Sequence, residues 1–324
     1  MLRYRSAHGI TVALTALLVG CASPAASAPA IAATASPASP IASSSDAPAF
    51  SVASAAVSST AEGDILFASS RNDIGLDQVY AMAADGSGQR LVTKDLAGGW
   101  MPAFSPDRTR IAFSSERAGD GMNIYVMNLD GSNVKEVTGN DFNSFHASWS
   151  PDGQRILYQG FPSGLYVVGA DGSGQTRISD GAMASWSPDA PRIAFVASHD
   201  QGRNWEIHVM NADGSQETAL TEGPASASLP AWSPDGKLIA FSSNRTGTGD
   251  IYVMKANGSD VRRLTTDPGV DDWPAWSPDG TMIAFQRSAL NDAPAEIWVM
   301  NADGTNQVNI TKSPTVKEWG PSWK

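Results

Sequence analysis

From Asp64 to its last residue the chain repeats itself, and self-similarity of this kind decides the architecture before any single site can. Ser-Pro-Asp begins at Ser105, Ser150, Ser187, Ser233 and Ser277. An apolar run follows it, as in Ile111-Ala112-Phe113, Ile156-Leu157-Tyr158, Ile193-Ala194-Phe195, Ile239-Ala240-Phe241 and Ile283-Ala284-Phe285, and Ile65-Leu66-Phe67 opens the series. Next comes a second run such as Ile124-Tyr125-Val126-Met127 or Ile251-Tyr252-Val253-Met254, then Asp-Gly or Asn-Gly, then an apolar residue with Thr or Ser, as in Val92-Thr93 and Leu264-Thr265. The Asp-Gly steps at Asp85, Asp130, Asp171, Asp213, Asn257 and Asp303 lie 45, 41, 42, 44 and 46 residues apart. A period in the low forties that holds four short strands marks a propeller blade.

The turn chemistry agrees. In Trp-Ser-Pro-Asp-Gly, Pro sets φ for the first turn position and Gly accepts positive φ, so the unit reads as a hairpin between two strands. Asn-Ala-Asp-Gly-Ser reads as a second hairpin, because Asp-Gly suits the primed turns that match strand twist. Strands covered on both faces by neighbouring blades need not alternate polar and apolar. Small Ala112, Ala194, Ala240 and Ala284 are expected where blades crowd together. The ends of the repeat region are complementary. It opens on a second strand, and Trp319-Gly320-Pro321-Ser322-Trp323 aligns with Asp272-Trp273-Pro274-Ala275-Trp276, a first strand. The prediction is an all-β, six-bladed propeller over residues 62–324, with four antiparallel strands per blade. The C-terminal strand pairs with the N-terminal blade and leaves no free sheet edge.

The consensus Pro-Ala-Trp-Ser-Pro-Asp-Gly, Ile-Ala-Phe, Ile-Tyr-Val-Met, Asn-Ala-Asp-Gly, Leu-Thr resembles the WD40-like Pro-Asp repeat of the TolB-like propeller family. The resemblance covers about 260 residues, nearly all of the repeat region. It implies the propeller fold and a protein-docking role outside the cytoplasm. TolB itself carries an α/β domain before its propeller, whereas this sequence shows only a signal and a tether there. Two units depart from the pattern: Arg108 stands where Gly is usual, and Ala190-Pro191 follows Asp189.

Residues 1–20 read as a secretory signal. Arg3 and Arg5 precede an apolar stretch from Gly9 to Val19 that is too short to span a bilayer. Leu18-Val19-Gly20-Cys21 resembles the lipobox of bacterial lipoproteins, which implies cleavage before Cys21 and lipidation of that residue. Residues 21–61 are almost only Ala, Ser, Pro, Thr and Val, with Asp46 as the one charge, and read as a flexible tether. The expectation is a monomer held by lipid on the periplasmic or surface side of a bacterial membrane. With net charge −11 and no basic cluster, the chain is poorly suited to nucleic acid. One cysteine excludes an internal disulfide and a multi-cysteine zinc site.

A propeller hosts unrelated functions, so function must come from a site. No Gly-x-Ser-x-Gly elbow, phosphate loop or His-Glu-x-x-His occurs, so no catalytic residue is assigned. The Asp-Gly turns lack the closing Glu of a calcium loop and read as hairpins. His208 replaces the Tyr or Trp of its sister repeats and reads as a packing residue. His146 aligns with Met101, Met183, Leu229 and Trp273 and reads as core or channel wall. The Ser-x-Arg arginines Arg71, Arg117 and Arg245 read as partners of nearby acids.

Partner binding is therefore expected where the units differ, in the loops from each fourth strand to the next first strand. These carry Trp100, Asp141, Phe142, Phe145, His146, Asp271, Asp272, Trp273, Glu318 and Trp319. Exposed aromatics beside carboxylates suit a protein or glycan interface. The leading reading is a non-catalytic binding or scaffold module of the cell envelope, with an envelope protein or wall polymer as partner. No cofactor is expected, although acids facing a channel could hold a cation such as calcium. The alternative is a polysaccharide lyase or a glycosidase acting at the channel mouth, with Asp271 and Glu318 as a carboxylate pair.

Overall fold

A computed structural model of the chain describes residues 63–324 except 73, 120, 140–142, 161–163, 190, 199–203 and 290–293. The expected signal, Cys21 and the tether lie outside the described residues, as do Asp141 and Phe142. Among the described residues twenty-four strands form six four-stranded sheets. The innermost strands are β4 (Trp100–Phe104), β8 (Ser144–Trp149), β12 (Ala182–Trp186), β16 (Ala227–Trp232), β20 (Val270–Trp276) and β24 (Glu318–Trp323). The second strands are β1 (Asp64–Ser69), β5 (Arg110–Ser115), β9 (Arg155–Gly160), β13 (Arg192–Ala197), β17 (Leu238–Ser243) and β21 (Met282–Ser288). Third come β2 (Gln78–Ala83), β6 (Asn123–Asn128), β10 (Gly164–Gly169), β14 (Glu206–Asn211), β18 (Asp250–Lys255) and β22 (Glu296–Asn301). The outer edges are short: β3 (Arg90–Leu91), β7 (Lys135–Glu136), β11 (Thr176–Ser179), β15 (Thr218–Ala219), β19 (Arg262–Arg263) and β23 (Val308–Asn309).

The first sheet runs β24-β1-β2-β3, so the last strand completes the first blade as predicted. Ile65 faces Trp323, Ser69 faces Glu318, and the Asp64 amide donates to the Lys324 carbonyl at 2.9 Å. Ile65, Phe67 and Trp323 then pack with Met282, Ala284, Ile297 and Val299 of the sixth blade, so the closing interface has an apolar core like the others. Ala112, Ala194, Ala240 and Ala284 are all fully buried, in the inter-blade clusters where small residues were expected.

The landmarks have mechanical roles. In each Ser-Pro-Asp turn the Ser hydroxyl donates to the Asp carboxylate, as from Ser150 to Asp152 and from Ser277 to Asp279. The same hydroxyl accepts the amide five residues on, from Arg155 or Met282 at 2.9 Å. The bond from the Ser hydroxyl, with the amide two residues beyond the Asp, holds the Asp152 and Asp107 carboxyls below the usual range. The Thr of the fifth landmark ends the outer strand by accepting a third-strand amide: Val79 to Thr93, Ile124 to Thr138, Ile207 to Thr221 and Ile251 to Thr265. Asp130 accepts the amide and hydroxyl of Ser132, which fixes its hairpin. Gly131 there combines φ of 82° with a close approach to the Val92 carbonyl of the preceding blade, where a Cβ would lie 2.1 Å from the oxygen.

Arginines brace the blades. Arg71, Arg117 and Arg245 lie over the ring pairs Phe67–Tyr80, Phe113–Tyr125 and Phe241–Tyr252. Arg71 pairs with Glu318 and Arg117 with Asp95, as expected of partners of nearby acids. His208 is buried and packs on Phe195 at 5.6 Å, with Nδ1 2.9 Å from Glu217.

Candidate functional site

Each innermost strand breaks its ladder at one equivalent position. Met101, His146, Met183, Leu229, Trp273 and Gly320 all adopt φ between 49° and 63°. The register slips at the same place in every blade, between Trp100 and Ala103, Phe145 and Ser148, Ala182 and Ser185, Ser228 and Ala231, and Asp272 and Ala275. The sixth slip lies opposite Leu66 and Ala68, where β24 carries Gly320. Left-handed backbone is costly for residues other than Gly, yet five of the six have side chains there. The bulge re-aims each of these side chains from its sheet toward the propeller axis.

These side chains meet on the axis. His146, from the third blade, contacts Trp273 of the opposite sixth blade with ring centroids 5.3 Å apart. Trp319 of the first blade meets Trp273 edge-on at 6.0 Å. Burial lowers the His146 imidazole to about 4, so it stays neutral at physiological pH, and its Nδ1 is buried without a hydrogen-bond partner among the described residues. Behind this contact lies an axial pocket of about 530 Å³ that runs toward the Ser-Pro-Asp turns. Met101, Met183 and Leu229 line its inner end and the turn prolines, Pro106 to Pro278, its rim. Among the described residues no Asp or Glu side chain lines it; its charged side chains are Arg108 and Lys324.

Several residues expected at an exposed mouth lie elsewhere. Asp271 is fully buried and holds Arg287 through two bonds of 2.6 and 2.7 Å, and Arg287 in turn stacks on Phe285 and Trp298. Burial raises the Asp271 carboxyl and Arg287 opposes the rise. Glu318 is also fully buried, on Arg71. The two carboxylates once paired as a glycosidase couple are thus occupied by arginines within their own blades. Trp100 is buried too, and the indole N–H groups of Trp100 and Trp319 both donate to Oδ2 of Asp77, at 3.1 and 3.0 Å. Asp272 is buried, and its Oδ1 has no hydrogen-bond partner among the described residues. Burial first, and the Asp271 charge second, push its carboxyl up to about 8 against the pull of Lys317. The expected exposure is corrected for Trp100, Asp271, Asp272 and Glu318: each inner strand tucks its first residues between blades before the bulge turns the chain to the axis. Phe145 is half-buried, and of the expected residues that are described only His146 and Trp273 line the pocket.

Sequence reading passed over Asp77, Lys324 and the proline rim. Asp77 carries no motif. Arg108 did carry a signal, since it replaces the Gly found at 153, 236 and 280. Asp77 joins the first two blades by accepting from both indoles, so Asp77→Ala should cost about 2 kcal/mol by leaving two N–H groups without an acceptor. Urea unfolding followed by tryptophan fluorescence measures it, and a change under about 0.5 kcal/mol would remove Asp77 from this role.

The comparisons follow this geometry. The model of the family described as PD40, the TolB beta propeller domain, matches residues 97–185 and 179–324. Among solved structures, TolB from Acinetobacter baumannii superposes with a TM-score of 0.69 at 21% identity, over 81% of this chain and 66% of that one. The chain thus spans slightly under two thirds of that protein. The putative TolB from Agrobacterium tumefaciens gives 0.63 at 22% identity, over 81% and 98%. Oligogalacturonate lyase from Vibrio parahaemolyticus gives 0.50 at 15% identity, over 77% and 74%, so a propeller of this shape also occurs in an enzyme. No curated protein matches the chain. Among the described residues no helix is long and apolar enough to cross a membrane. Six closed blades, their Pro-Asp turns and a family match over most of the chain agree: this protein belongs to the TolB β-propeller family.

Proposed function

We propose that the protein is a non-catalytic binding module of the cell envelope, held outside the cytoplasm by a lipid on Cys21, with an envelope protein as partner. The observation that carries the reading is where its charges lie. Two buried acids of the inner strands, Asp271 and Glu318, are held by arginines, while the axis presents an aromatic pocket lined by His146 and Trp273. A concave apolar pocket with a few polar groups at its rim is built to bind. Membership of the TolB β-propeller family, whose resemblance implies protein docking, favours a protein partner over a small metabolite.

Crosslinking in intact cells, followed by identification of the captured species, tests the reading. One partner should be recovered reproducibly with the wild-type chain and lost with Trp273→Ala. Turnover of an oligosaccharide by the purified protein would overturn the reading in favour of an enzyme. Fatty-acid labelling should vanish in Cys21→Ser; labelling that persists would reject the anchor.

A further inference from the structure

In the sixth blade the residue before the bulge is an acid. Its sister positions hold Trp100, Phe145, Ala182, Ser228 and Trp319, so Asp272 is the only carboxyl among them. It lies directly opposite Gln286 in the ladder between β20 and β21, and both side chains are buried. Residues opposed in this way project from the same face of a sheet, with Cβ atoms about 5 Å apart. Asp272 Oδ1 and Gln286 Oε1 both lack a hydrogen-bond partner among the described residues. Gln159, at the same repeat position in the third blade, instead accepts the Met183 amide on its Oε1 at 3.3 Å. Two buried acceptors that face each other need a donor, and a single proton supplies it. A neutral carboxyl donates its O–H to the carboxamide oxygen, and the carboxamide N–H donates back to the other carboxyl oxygen.

The charges around the pair leave that proton in place. Strands β16, β17, β18, β21 and β24 pack against β20. β16 and β17 carry no titratable side chain. On β18, Asp250 pairs with Arg263, Lys255 pairs with Asp260, and Tyr252 stacks on Phe241. Arg287 of β21 is taken by Asp271, and Glu318 of β24 by Arg71. Two charges act on Asp272 itself: Asp271 opposes its ionisation, and Lys317, just before β24, favours it.

The pair also sits where it can move the axis. The ladder slips between Asp272 and Ala275, so no pairing to β21 holds Trp273 or Pro274. Trp273, at φ of 54°, is the residue that meets His146 across the channel. A buried carboxylate without donors must reach water. Asp272 and Trp273 share a peptide unit, so drawing the first out of the sheet displaces the second.

We propose that Asp272 and Gln286 form a proton-operated latch: with the proton in place the pair holds Trp273 against His146, and its loss lets Trp273 swing away from the axis. The latch adds a regulation to the binding-module reading. Its test needs no partner, so either can fail without the other.

The purified protein, labelled with fluorotryptophan, is followed by fluorine NMR from neutral to alkaline pH, with Trp273→Phe assigning the signal. The Trp273 resonance should move with a midpoint at about pH 8 in the wild type. In Asp272→Asn it should stay at its low-pH position, because the Asn N–H donates to Gln286 where the carboxyl O–H did. In Gln286→Glu two opposed carboxyls must share one proton, so the midpoint should rise by about one pH unit or more. The other nine of the ten tryptophans report whether each variant is folded. A Trp273 resonance that does not move in the wild type overturns the latch, as does the same movement in Asp272→Asn or an unshifted midpoint in Gln286→Glu. Movement on adding calcium chloride at constant pH, absent from Asp272→Asn, would make the pair a cation site and would also overturn it.

Discussion

Removal of residues 318–324 should lower the melting temperature by about 10 °C or more and make the protein prone to aggregate. The segment supplies the innermost strand of the first blade and carries Trp323, which is buried in the closing cluster. Losing a buried tryptophan costs about 3–5 kcal/mol, before the ladder to β1 is counted. In a domain this large each kcal/mol moves the midpoint by about 2–4 °C. The deletion also takes Glu318 from Arg71 and Trp319 from Asp77. Bare β1 then offers unpaired amides and carbonyls to another chain. Scanning calorimetry with size-exclusion chromatography reads both effects. An unchanged midpoint on a truncated chain that elutes like the full-length protein would mean that the ring is not held shut by this strand.

The second large effect is a pH dependence that Asp272→Asn removes. The Asp272 carboxyl sits near 8 in the fold, against about 3.9 in an unfolded chain. Its folded value is raised, so the stability tied to its neutral form is complete below about pH 4 and is lost as pH rises toward 8. His146 has the opposite sign: it is lowered to about 4, against about 6.5 unfolded, so its contribution is complete above 6.5 and fades as pH falls. The two slopes cancel between about pH 4 and 6.5, and the loss from Asp272 stands alone between about 6.5 and 8. Asp272→Asn should equal the wild type near pH 4 and exceed it by a few kcal/mol at pH 8.5, an order-of-magnitude figure from the size of the shift. Urea titrations of both proteins across this range decide it. Parallel stability curves would show that Asp272 ionises freely in the fold.

Two features of the site explain why it was only partly legible in the sequence. Met101, Met183, Leu229 and Trp273 are large apolar residues of the kind any strand carries, His146 differs from them, and only Gly320 is a usual left-handed residue. Nothing in those residue types announces a bulge, although Pro follows four of the six positions and disfavours right-handed helical backbone before it. Asp271 and Arg287 are sixteen residues apart, and Arg71 and Glu318 stand near opposite ends of the propeller segment. Each pair meets only through strand pairing, so loops rich in acids and aromatics read as exposed when several of their residues are buried.

The repeat by itself determined the blade number, the four strands of each blade, both hairpins and the closure by the tail. Those features follow from turn chemistry and periodicity, which act over a few residues. Tertiary structure alone decided which side chains reach the axis, which acids are neutralised by arginines, and which end of the channel stays open. Those outcomes depend on contacts between blades far apart in the chain, and a register slip of one residue is enough to exchange a buried side chain for one on the axis.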